Sequence, residues 1–304
     1  MKFVTFRRAG DRRGRFGALV EGGRRILDFS HPAGDIPAPA RDLDWFDLAG
    51  PYFQSASALL ASALADDETF SELDRRGAIV DERQADLLAP VPRPGKIVAV
   101  GLNYRDHAEE TGRPVPNRPV LFSKYPSCVV PSGHPIEIPA DCERPDYEAE
   151  LAVVIGRRGR AIRTEDALDH VLGYTMMNDV TARDFQAADG QFQRGKSCDT
   201  FAPMGPYIAT TETVRDPQRL AIRLRLNGRV MQDANTSGMV FGVRELIAFI
   251  SRYATLEPGD VIATGTPAGV GVARTPPVFL ADGDHVEVEI ESLGVLRNPV
   301  VRAD

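Results

Sequence analysis

The chain has 304 residues, 43% hydrophobic and 26% charged, enough for a sizeable core in one large domain or two smaller ones. A net charge of −7 with no basic block argues against nucleic acid as a partner. Three cysteines, Cys128, Cys142 and Cys198, show no CxxC spacing, which excludes a zinc ribbon, disfavours a disulfide framework and points to a reducing compartment.

The opening stretch Met1–Arg8 lacks the continuous apolar run of a signal peptide, and no later run reaches membrane-spanning length. The expectation is a cytoplasmic protein with no membrane partner. Phe3–Phe6, Phe16–Val20 and Arg25–Phe29 read as short strands of a meander, broken by Ala9-Gly10-Asp11 and Glu21-Gly22-Gly23. A proline- and acid-rich loop over 31–51 follows, then an alanine- and leucine-rich helix over Ser55–Leu64. This section carries no catalytic constellation. The alternating prolines of Leu88–Lys96 form a boundary that cannot be helical.

Ile97-Val98-Ala99-Val100 reads as a buried strand that runs into Gly101-Leu102-Asn103-Tyr104 and a short helix ended by Gly112 and Pro114. On that helix His107 and Glu110 share a face. A carboxylate beside an imidazole fixes its tautomer and raises its basicity, as proton abstraction near neutral pH requires. Exposed His/Glu neighbours are also common on helices, so the pair alone does not decide.

Asp146–Gly156 reads as a strand. Side chains alternate, so Glu148 and Glu150 point the same way, roughly 6.6 Å apart at about 3.3 Å per residue. Beyond them Ala152 and Val154 fill one face and Leu151, Val153 and Ile155 the other, a pattern of burial on both sides. Two carboxylates so placed would need neutralising or a shared cation; the alternative is a strand end whose glutamates reach water. Thr164–Leu172 is expected to be a helix with Thr164 as N-cap. Gly173–Asp179 is an apolar strand ending in a carboxylate, a plausible third oxygen ligand. Three carboxylates without histidine or thiolate favour Mg2+ or Mn2+ over zinc. Arg183, Gln186 and Lys196 follow, groups able to bind an anion and stabilise an enolate. Asn227-Gly228 is a hairpin turn, and Phe241–Tyr253 is a helix with Leu246, Ile247 and Ile250 inward. In Gly265-Thr266-Pro267-Ala268-Gly269-Val270-Gly271, the glycines let backbone N–H groups approach a carboxylate.

Five of these motifs coincide in order and spacing: Gly101-Leu102-Asn103-Tyr104 with His107 and Glu110, Tyr147-Glu148-Ala149-Glu150-Leu151, Asn178–Asp184, Gly195-Lys196 with Asp199-Thr200-Phe201, and Pro258-Gly259-Asp260 leading to Gly265-Thr266-Pro267. Together they resemble the fumarylacetoacetate hydrolase superfamily over roughly residues 95–304, in its branch of acylpyruvate hydrolases and 2-hydroxyhepta-2,4-diene-1,7-dioate isomerases. The resemblance implies an α+β protein. Its catalytic domain, residues 91–304, would be a mixed, barrel-like β-roll, with residues 1–90 as a small α/β accessory domain and a homodimer as the assembly. Glu148, Glu150 and Asp179 would hold Mg2+ or Mn2+, and His107 with Glu110 would activate water or move a proton. Lys196 would steady an enolate, and Arg183, Gln186 and Thr266 would contact a small 2-oxo acid. Cys198 would form part of the pocket wall. The reaction expected first is hydrolysis of a carbon–carbon bond in an acylpyruvate- or fumarylpyruvate-type acid, through a metal-bound enolate. The same machinery would serve an isomerase or decarboxylase of 2-hydroxymuconate or 2-oxo-dioate substrates, oxaloacetate included. A catalytically silent binding protein of the same fold is the remaining alternative.

Overall fold

A computed structural model describes residues 1–303. Its centre is the strand Ala149–Ile155, all seven residues of which are buried. Leu151, Val153 and Ile155 enter one hydrophobic core, and Ala152 and Val154 enter a second on the opposite face. The two-sided apolar pattern thus reports a strand with a packed layer above and below.

That strand pairs antiparallel with Val171–Asn178 and with Val261–Ala263. Val261–Ala263 in turn runs parallel to Ile97–Gly101, so the sheet is mixed. In the other direction Val171–Asn178 pairs with Ala202–Thr210, which pairs with Lys2–Arg7. The meander of residues 1–30 therefore continues the central sheet, which reaches twelve strands. A five-stranded sheet covers the first core with Ile222, Leu224, Val286 and Val288, beside the helix Val243–Tyr253 and its buried Leu246, Ile247 and Ile250. The fold is α+β as expected. The sheets end in free edge strands, so the described residues form open sheets rather than a closed barrel.

The second core is aromatic and largely supplied by residues 1–90. Phe16 stacks on Phe3 at 5.4 Å and on Trp45 at 5.6 Å between ring centroids. The expected helix runs over Pro51–Ala65, burying Phe53, Ala56, Leu60 and Ala63 at helical spacing. Asp66 ends it and N-caps a second helix, Asp67–Arg75, accepting from the N–H groups of Glu68 and Thr69. This second helix is strongly amphipathic but escaped the sequence reading. A further expectation is corrected: Thr164–His170 is a 3-10 helix, entered from Arg163 without a side-chain cap. The Asp166 N–H donates to the Arg163 carbonyl at 3.1 Å, closing the tighter three-residue turn of a short segment.

Among the described residues no helix is long and apolar enough to cross a membrane, and the three cysteines are free thiols.

Gly173 shows how closely the central strands approach. A Cβ there would lie 2.3 Å from the Ala209 carbonyl oxygen of the neighbouring strand. Gly173→Ala is expected to lower stability by about 1–3 kcal/mol, read as a lower denaturant midpoint at unchanged slope; an unchanged midpoint would contradict this packing.

Candidate active site

The strand Ala149–Ile155 and the strand Val171–Asn178 deliver the acidic cluster. They are paired with Ala149 opposite Asn178, so Glu148, Glu150 and Asp179 emerge together at one end of the pair. The Asp179 N–H donates to the Glu148 carbonyl at 2.9 Å, and the Glu148 N–H donates to the Asn178 side-chain oxygen at 3.0 Å. All three carboxylates are buried, and one oxygen from each lies within 4.8 Å of the others.

Their neighbours are unequal. Lys196 donates to Glu148 Oε2 and to Asp179 Oδ2, both at 2.7 Å. Arg183 donates to Glu148 Oε1 at 2.6 Å, and Lys124 donates to Asp179 Oδ1 at 2.6 Å. Glu150 receives only the Gly265 N–H, at 2.9 Å. Burial opposes ionisation of Glu148, but Lys196, Arg183 and His107 outweigh it and bring the carboxyl down to about 2. Burial pushes Glu150 the other way, well above the carboxylate range, with the charges of Asp179 and Glu148 adding to it. Burial alone would lower the Lys196 ammonium, yet Asp179 and Glu148 hold its pKa above the ordinary lysine value.

This arrangement fits a divalent cation. Lys196 Nζ already bridges two of the three acids as a monovalent stand-in, and Glu150 is left with an uncompensated carboxyl. The donor set is all oxygen, which suits a hard cation.

The dyad forms as expected. His107 and Glu110 lie on the helix Arg105–Glu110, with Nδ1 of His107 2.8 Å from Glu110 Oε1. The other Glu110 oxygen accepts the Gly269 N–H at 2.8 Å. Both residues line the same cavity as Glu148, Glu150, Arg183, Gln186, Lys196 and Thr266, a volume of about 580 Å3. Asp179 sits behind that wall, gripped by the two lysines. Gln186 accepts from Arg183 at 3.3 Å, and Thr266 accepts from Gln232 at 2.8 Å. Cys198 does not line the cavity; its thiol faces the Arg194 carbonyl at 3.6 Å.

Four residues of this neighbourhood were missed. Asp146, fully buried, accepts from Arg183 Nε at 2.8 Å and from the N–H groups of Gly271 and Val272 at 2.7 and 3.0 Å. Its position two before Glu148, on the same alternation, was a usable signal. Lys124 is 1% exposed and also donates to the carbonyls of Val180 and Lys196. A lone lysine ending an apolar strand gives no sequence signal of burial. Gln232 ties the Ala149 N–H to the Thr266–Pro267 turn. Asn103, read from the sequence only as part of a motif, is a brace that donates to the carbonyls of Phe241 and Thr264.

Residues 96–301 match the family profile described as fumarylacetoacetate hydrolase, C-terminal. The mitochondrial oxaloacetate tautomerase fahd2 of Xenopus laevis is 42% identical over 303 residues, covering 99% of this chain and 90% of that one. A human mitochondrial oxaloacetate tautomerase is 48% identical over 225 residues, 73% of this chain and 72% of its own. Among solved structures, 2-hydroxyhepta-2,4-diene-1,7-dioate isomerase of Mycobacterium marinum superposes with a TM-score of 0.74 at 33% identity, covering 99% of this chain and 98% of that one. Fumarylacetoacetate hydrolase of Exiguobacterium antarcticum gives 0.77 at 38% identity, with both chains covered in full. With its fold, its acidic cluster and these matches in agreement, the chain belongs to the fumarylacetoacetate hydrolase family.

Proposed function

We propose that the protein is a divalent-metal-dependent tautomerase that interconverts the keto and enol forms of oxaloacetate. The observation that carries this reading is the His107–Glu110 dyad on the wall of the cavity that holds the carboxylate cluster. The 42% identity to an oxaloacetate tautomerase over 99% of the chain supports it and turns the reading from carbon–carbon hydrolysis toward isomerisation. Isomerisation of a 2-hydroxy-dienedioate is the second reading, favoured by the Mycobacterium marinum neighbour.

Glu148, Glu150 and Asp179 would hold Mg2+ or Mn2+. When bound, the ion supplies a Lewis acid that draws electron density from the oxygens of a 2-oxo acid. Glu110 fixes the Nδ1 proton of His107, which leaves Nε2 as the base for the C3 proton of the keto form. The imidazolium formed is stabilised by Glu110, which Gly269 holds in place. Lys196 stays charged and offsets the negative charge that develops on the C2 oxygen. His107 then returns the proton to that oxygen, so the enol forms with no atom gained or lost. Arg183, Gln186 and Thr266 contact the substrate. Two copies are expected to assemble as a homodimer, which light scattering would read. The three free thiols suit a reducing compartment, whether the cytoplasm or the mitochondrion, as the vertebrate relatives are called mitochondrial.

Loss of the oxaloacetate enol absorbance, followed with Mg2+ present, tests the reading. His107→Asn is expected to slow it about 10²–10⁴-fold while calorimetry shows Mg2+ binding retained. Cleavage of acetylpyruvate without acceleration of oxaloacetate tautomerisation would overturn the proposal.

Metal binding is expected to release a proton. The Glu150 carboxyl is raised in the metal-free fold, so it must ionise before it can ligate, and affinity rises with pH up to that raised pKa. Calorimetry in buffers of different ionisation enthalpy should show proton release that shrinks as pH increases, and Glu150→Gln should abolish it.

A further inference from the structure

The cavity wall carries two cations that no acid neutralises. Arg183 and Lys196 are each held by two carboxylates, and His107 is paired with Glu110. Arg113 and Arg144 line the same cavity, yet among the described residues neither has an ion-pair partner. Arg144 is the more telling of the two. Pro145 lies opposite Ala182 in a two-stranded ladder, and the Arg183 N–H donates to the Arg144 carbonyl at 2.9 Å. Arg144 is therefore the cross-strand neighbour of Arg183, where like charges face each other unfavourably unless an anion comes between them. Asp146 and Glu148 hold Arg183, while Arg144 is exposed and has neither acid as a partner. The Arg144 guanidinium lies 5.3 Å from the ring centroid of Phe279, a contact that orients the planar fork without neutralising it.

We infer that Arg144, assisted by Arg113, is a subsite for the second carboxylate of a 2-oxo dicarboxylate, and so sets the preference for dianionic over monoanionic substrates. The inference rests on the 2-oxo acid reading above and names what that reading leaves open. The lining combines Glu110, Glu148 and Glu150, an acidic set that calls for a cation, with the arginines Arg113 and Arg144. A ligand that satisfies both is anionic at two separated points. A carboxylate matches a guanidinium with two parallel hydrogen bonds, which a methyl terminus cannot make.

Two acids of equal chain length, read by binding rather than turnover, separate the subsite from the chemistry. 2-Oxoglutarate ends in a carboxylate and 2-oxopentanoate ends in a methyl group. Titration calorimetry on the Mg2+-loaded full chain is expected to show 2-oxoglutarate bound about ten-fold or more tightly. Arg144→Met keeps the aliphatic stem over Phe279 and should erase most of that preference while leaving 2-oxopentanoate affinity unchanged; Arg113→Met should reduce it less. Equal affinity for the two acids in the unmodified protein would overturn the inference. So would a preference that survives in the Arg144→Met, Arg113→Met double variant, or an equal loss of both ligands in Arg144→Met at unchanged thermal midpoint. Oxaloacetate turnover is scored separately: absent turnover with the binding preference intact would remove the tautomerase and leave the subsite standing.

Discussion

Four carboxylates, those of Asp146, Glu148, Glu150 and Asp179, are buried in one cluster with the cations of Arg183, Lys196 and Lys124. The acids outnumber the bases by one. Charges removed from water must be paired or change protonation state, and here the imbalance falls on Glu150, which has no cation of its own. Burial and the charges of Asp179 and Glu148 push its pKa well above the carboxylate range, and a divalent ion bound there would offset the excess negative charge. Lys196 is shared between Glu148 and Asp179, so it is the group that must adjust when an ion enters. Lys124 lies further in and anchors Asp179 from behind, so that acid cannot follow Lys196 outward.

The loop after the strand Val261–Ala263 keeps this cluster in register. Gly265 donates to Glu150, Gly269 to Glu110, and Gly271 with Val272 to Asp146. One stretch of backbone thus fixes an acid of the cluster, the acid of the dyad and the acid that holds Arg183. Glycine is required at the middle position for two reasons. Gly269 has a φ of +106°, and a Cβ there would lie 2.2 Å from the Met231 carbonyl oxygen. Gly271 is confined by space alone, since a Cβ would meet the Val278 carbonyl oxygen at 1.9 Å. Base and cluster are therefore coupled through main-chain donors, which hold position better than mobile side chains would.

Members of this family carry different names, tautomerase, isomerase and hydrolase, on one architecture. The reason lies in what the site contributes. The His107–Glu110 pair, the Lys196 ammonium and the clustered carboxylate oxygens are kinds of group that would serve an enolate, whatever bond is made or broken beside it. Discrimination would then fall to other residues of the cavity lining, among them Arg113, Arg144, Phe122 and Phe192. Residues 1–90 do not line that cavity: their aromatic core packs against Ala152 and Val154 of the central strand, and they extend its sheet.

Much of this could be read along the chain because it depends on local geometry. Alternation in Ala149–Ile155 assigned each side chain to its core, and helical spacing brought His107 beside Glu110; neither needs a distant partner. The glycines of 265–271 announced backbone donors for a carboxylate, although not which ones. Tertiary structure alone decided that three acids, each more than a hundred residues away, would be the recipients. It alone buried Lys124, made Asp146 a hub, and opened the expected barrel into sheets that residues 1–30 extend. Such outcomes depend on which charges and strand edges meet once the chain has closed on itself, and no short window of residues contains that information.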